Sequence, residues 1–208
     1  VQAWYETMSA YNTISSPEDF YLFEGRTGES TINILFNRSF GRNATPEEIE
    51  RIYAQKAARF TELEQPESKP MPDAGKVLEK VKESGLLRVI VTGSGQKSLF
   101  EKLDQHFPSF FDKNLMVTAY DVKYGKPHPE PYLMGLQKAN IKANEAIVIE
   151  NAPLGVEAAK AAGIYTIAVN TGPLQDRVLT DAGADILFHS MGDLATNIEN
   201  IIRKQSVQ

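Results

Sequence analysis

The 208-residue chain contains no cysteine. That excludes disulfides, thiolate metal sites and cysteine nucleophiles, and a reducing, cytoplasmic setting is the expectation. A basic excess is also missing: 27 Asp and Glu outnumber 22 Lys and Arg, for a net charge of −5. A nucleic-acid partner would want a basic face, so none is expected. No apolar run approaches the ~20 residues that span a bilayer, and no signal-peptide pattern is found, so no membrane partner is expected either. Histidine is scarce. His106, His128 and His189 show no metal-ligand spacing and read as loop or surface residues. What remains, 42% hydrophobic and 24% charged, is an ordinary globular composition. The length suffices for one large domain or two modest ones, and a monomer is expected.

The rhythm of the chain changes once. Up to about residue 63 it reads as helices. Ser16 and Pro17 form a start signal, Gly41 a stop, and Thr45, Pro46 and Glu48 a capping box. Ile32, Leu35 and Phe36 form an apolar stripe that reads as core. The stretch QPESKPMPDAG packs three prolines together and is the expected boundary between a helical unit, 1–68, and an α/β unit, 69–208. From Asp73 onward helices alternate with short apolar strands: LLRVIV, LMVTAY, EAIVIE, YTIAV and DILF. That alternation predicts βαβ crossovers and a doubly wound parallel sheet of Rossmann-like type.

Ligands of such sheets bind at the carboxyl ends of the strands. There the chain places Thr92, Gly93, Ser94 and Gly95, then Lys126 between Gly125 and Pro127, then Glu150 and Asn151. Hydroxyls, backbone amides and a lysine suit a phosphoryl group. An acid beside an amide suits a hard cation such as Mg²⁺. A carboxylate that follows Ala-Ile-Val-Ile is costly to bury unless paired or metal-bound. Each stretch has a plainer alternative. TGSGQKS falls short of both common nucleotide loops and could simply be a strand-to-helix turn. Lys126 could be an exposed loop lysine, and Glu150 could cap the helix after it. The small face of Gly155, Ala158, Ala159 and Ala162 reads as close helix-to-sheet packing.

Taken together, VIVTGSG, KYGKPHPEPY and VIENAPLGVEAAKAAGI resemble the motifs of the haloacid dehalogenase superfamily of phosphohydrolases, in its β-phosphoglucomutase-like branch, an inorganic pyrophosphatase-type member included. The resemblance runs in order along the whole chain. It implies an α/β core with a helical cap, and a phosphoryl group held by Thr92, Gly93, Ser94 and Lys126, with Thr92 and Lys126 catalytic. It also implies a Mg²⁺ site using Asn151 and Glu150. Substrate choice would lie in the cap loop EGRTG, with Glu24 near a metal or the leaving group and Arg26 clamping a second phosphate. An exposed ion pair at a helix junction is the plainer reading of those two.

Two departures accompany the resemblance. The family's Asp-x-Asp, nucleophile and acid/base, should precede the cap, and no Asp-x-Asp occurs in the sequence. The chain is therefore read as lacking its first, central strand, by roughly two dozen residues, and as inactive on its own. Asn151 stands where many relatives carry Asp. One negative charge fewer beside the cation favours a highly charged substrate such as pyrophosphate, by one to a few kcal/mol on the order of Coulomb's law at a few ångströms. Three functions remain open: a phosphohydrolase acting on pyrophosphate or a small phosphate ester, a sugar-phosphate mutase, and a catalytically silent phosphate-binding protein.

Overall fold

The computed structural model describes residues 1–63, 69–95 and 97–205. Four helices come first: α1 Gln2–Ala10, α2 Pro17–Leu22, α3 Gly28–Phe40 and α4 Pro46–Leu63. Their ends follow the sequence signals. Ser16 and Asp19 close a capping box on α2, and Gly41 ends α3 with φ of 68°. The Thr45 amide donates to Glu48 at 2.8 Å, while the Glu48 amide donates back to the Thr45 hydroxyl at 3.3 Å. The apolar faces meet in one core of Met8, Phe20, Ile32, Leu35, Phe36 and Ile52. The expected boundary at residue 68 lies outside the described residues.

The second part alternates as the sequence predicts. Its elements are α5 Ala74–Glu83, β1 Ile90–Val91, α6 Lys97–His106, β2 Met116–Val117 and α7 Glu130–Ala139. They continue with β3 Ile147–Glu150, α8 Pro153–Ala161, β4 Tyr165–Val169, α9 Asp176–Asp181, β5 Ile186–Phe188 and α10 Met191–Gln205. All strand pairings described are parallel, in the orders β1-β2 and β3-β4-β5. β4 is central to its sheet and nearly all buried, which suits a strand covered on both faces. Val77 of α5 and Leu194, Ala195 and Ile198 of α10 pack against Ile167 and Val169 of β4. On the other face Ala158, Ala159 and Ala162 pack on Val148 and Ile164. The small stripe is packing, as its composition suggests.

Among the described residues β1 and β3 do not pair with each other. Between them lies a cavity of about 660 Å³ walled by apolar side chains, among them Val77, Val81, Val89, Val91, Val148 and Ile164. β1 and β2 are far shorter than the apolar runs that contain them. Among the described residues β1 is hydrogen-bonded on one side only, to β2.

Candidate functional site

The strands bring their carboxyl ends to one edge, where Lys126 and Glu150 form a buried ion pair. Their side chains are 5% and 9% exposed. The peptide between Lys126 and Pro127 is cis. The ammonium donates to Glu150 Oε1 and, at 3.2 Å, to the Val91 carbonyl at the end of β1. The Tyr132 hydroxyl of α7 donates to the same Glu150 oxygen at 2.7 Å, and its ring lies 4.9 Å from Lys126 Nζ. Glu150 Oε2 accepts from the amides of Asn151 and Ala152 at 3.0 and 3.2 Å. Burial pushes the Glu150 carboxyl up, but Lys126 and the hydroxyl and amide donors outweigh it and hold it below the usual range. Burial and then the Glu150 charge push Tyr132 far up, so it stays a protonated donor. An ammonium has three N–H groups, and among the described residues two have hydrogen-bond partners.

β1 runs directly into the loop beginning at Thr92. The Thr92 amide donates to Val117 of β2 at 2.9 Å, and its hydroxyl accepts from the Ser94 amide at 3.1 Å. The helical part closes over this loop. A Cβ on Gly93 would lie 2.5 Å from the Gly25 carbonyl oxygen and 2.9 Å from that of Arg26. One on Gly25 would lie 3.0 Å from Lys126 Cδ. Glycine at 93 lets the two backbones touch beside the lysine.

Glu24 and Asn151 meet across the same junction. Burial pushes the Glu24 carboxyl above its ordinary range. The hydrogen bond from the Asn151 side chain opposes this, and the Glu150 charge adds to it. If the Asn151 amide group donates to Glu24, its carbonyl oxygen is left as a second donor for a cation. That pair fits a hard cation in chemistry, supplying two oxygens toward a usual six for Mg²⁺. Glu150 does not fit as a ligand, because both its oxygens are already engaged by four donors. No group of three or more His, Cys, Asp or Glu suited to a metal is present among the described residues.

Arg26 is placed differently from the expectation. Its Nη1 donates to Ser30 at 3.3 Å, its guanidinium lies 5.9 Å from the Phe23 ring, and it feels the charge of Glu157 on α8. It lines a side pocket of about 420 Å³ with Leu154 and Val178 instead of reaching Lys126. The backbone of the EGR loop approaches the site, and the Arg26 Nε is buried with no hydrogen-bond partner among the described residues. Tyr132 is the residue that the sequence reading missed. Its only signal was an aromatic hydroxyl six positions after Lys126, inside an otherwise apolar helix face. The histidines keep to plain roles: His128 Nδ1 accepts from the Glu130 amide, and His189 pairs with Asp176. No helix among the described residues is long and apolar enough to cross a membrane.

The fold agrees with comparisons to known proteins. A Bacteroides vulgatus structure provisionally named a β-phosphoglucomutase superposes with a TM-score of 0.92 and 52% identity, covering 100% of this chain and 83% of that one. Phosphorylated carbohydrates phosphatase of Thermotoga maritima is 35% identical over 136 residues, 64% of this chain and 60% of its own length. Hexitol phosphatase A of Escherichia coli is 34% identical over 141 residues, 65% of this chain and 63% of its own. The match thus spans about three fifths of these curated relatives. The family model for haloacid dehalogenase-like hydrolases matches residues 1–169, and the chain belongs to that family.

Proposed function

We propose that this chain carries most of a Mg²⁺-dependent phosphohydrolase whose substrate is pyrophosphate or a small phosphate ester. The observation that carries the reading is the buried Lys126, paired to Glu150 and hydrogen-bonded to the Val91 carbonyl that leads into the Thr92 loop. Thr92, the amide of Gly93, the Ser94 side chain and Lys126 would hold the reacting phosphoryl oxygens, stabilising charge as it develops, while the Ser94 amide holds the Thr92 hydroxyl. The tight Gly25–Gly93 approach supports a cap, 1–68, that covers a core, 69–208, and excludes water.

The nucleophile implied by the resemblance is an aspartate on a strand that would lie between β1 and β3, whose facing edges are unpaired among the described residues. Its carboxylate oxygen forms a bond to phosphorus as the bond to the leaving oxygen breaks. Water then cleaves the acyl phosphate and releases phosphate. Glu24 and Asn151 would hold Mg²⁺, which neutralises phosphoryl charge when bound. Glu150 instead fixes Lys126. Replacing Asn151 with Ala should weaken Mg²⁺ binding about tenfold or more, as loss of a ligand or its oriented partner does. Titration followed by fluorescence of Trp4 reads this without turnover. Unchanged affinity removes Asn151 from the site.

Pyrophosphate is preferred over a sugar phosphate because Asn151 brings no charge where an aspartate would bring one. The mutase reading rests on the provisional name of the Bacteroides vulgatus relative. Phosphate release by the complete protein separates the two. Pyrophosphate should lead a panel of hexose phosphates, and Glu24→Ala should lose most on pyrophosphate. Arg26→Ala should stay near wild type, since its side chain faces α8. Preference for a hexose phosphate with phosphoryl retention puts the mutase first.

A further inference from the structure

Tyr132 is buried beside Lys126 and Glu150, and the proposed reaction gives it no part. A phenol costs free energy to bury unless its hydroxyl is paired, and phenylalanine would fill an apolar helix face without that cost. The helix that carries it is fixed at several points. The Glu130 carboxylate accepts from the amides of Lys123 and Tyr124, both at 2.9 Å, which ties the first turn of α7 to the loop that leads to Lys126. Three residues past Tyr132, a Cβ at Gly135 would lie 3.2 Å from Val91 Cγ2, so α7 rests closely on β1. Three further on, Lys138 donates to the Met116 carbonyl of β2 and, at 2.9 Å, to Asp121. Residues spaced by three share a helix face. That face touches the end of β3, then β1, then β2.

A lysine stem is flexible, so its ammonium goes where its acceptors hold it. Here the acceptors are Glu150 Oε1 and the Val91 carbonyl. The terminal torsion of a glutamate is broad, so Oε1 needs support of its own. The amides of Asn151 and Ala152 hold only Oε2. The Tyr132 hydroxyl meets Oε1 at 2.7 Å, and the Tyr132 ring lies 4.9 Å from the ammonium. We propose that Tyr132 is a positioning residue for the phosphoryl-binding lysine. Its hydroxyl fixes the Glu150 oxygen with which Lys126 pairs, and its ring limits where the ammonium can go. The role rests on the phosphohydrolase reading and adds to it the group that aims the cation.

Tyr132→Phe keeps the ring and removes only the hydroxyl. In the complete protein, kcat on the best substrate of the phosphate panel should fall roughly tenfold with KM within about twofold, because a misaimed ammonium fails the transition state more than the bound substrate. Inorganic phosphate, titrated calorimetrically, should bind roughly threefold more weakly. Leu179→Ala is the control for lost stability. Leu179 is buried in a separate cluster with Val156 and Ala168, and its truncation leaves a cavity there. Assayed well below its unfolding midpoint, this variant should keep the wild-type kcat. Full kcat in Tyr132→Phe overturns the positioning role and leaves the phosphohydrolase reading standing. An equal loss of kcat in Leu179→Ala also overturns the role, since the effect is then one of stability alone. A complete protein that hydrolyses no phosphate compound, yet binds phosphate more weakly after Tyr132→Phe, sinks the phosphohydrolase reading and leaves the positioning role. Unchanged phosphate affinity in such a protein sinks both.

Discussion

Lys126→Met should lower the free energy of unfolding by about 3–5 kcal/mol, the cost of stripping one partner from a buried ion pair. It should also abolish phosphate binding. Glu150 would remain buried with its charge answered only by Tyr132 and two amides. Those donors place the expected loss toward the lower end of that range. Adding Glu150→Gln should recover part of the stability, because the uncompensated charge goes with it, but none of the phosphate binding. Urea denaturation of the two variants reads the first effect and calorimetry the second. A loss below about 1 kcal/mol would mean that the pair behaves as an exposed one.

Gly155→Ala should destabilise the protein although alanine is the better helix former. In an open helix the exchange gains up to about 1 kcal/mol. Here a Cβ would sit 2.1 Å from the Glu150 carboxyl carbon, so α8 or Glu150 must move. Overpacking of this kind costs about 1–3 kcal/mol. Moving the carboxylate also shifts Lys126, so phosphate affinity should fall with stability. Chemical denaturation gives the sign directly, and a stabilised variant would show that the carboxylate swings aside without cost.

Much of this site was legible because strand ends in a parallel sheet converge whatever their separation in sequence. Thr92, Lys126 and Glu150 follow from that rule, and the small face of α8 follows from the spacing of its alanines. What spacing could not convey was direction. Glu150 sits where a ligand would, yet a tyrosine from α7 and the first amides before α8 engage its lone pairs. Arg26 is a cap cation whose direction only packing decides: Phe23 and Ser30 hold it beside α8. The short β1 and β2 were read as longer because their apolar runs are long.

The central claim is that the Thr92 loop and Lys126 hold a phosphoryl group. Tungstate, a tetrahedral dianion with strong anomalous scattering, locates that position directly when soaked into crystals of the protein. The account predicts its main peak within hydrogen-bond distance of Lys126 Nζ, the Thr92 hydroxyl and the amide of Gly93. A main peak in the side pocket beside Arg26, with none at Lys126, would contradict it.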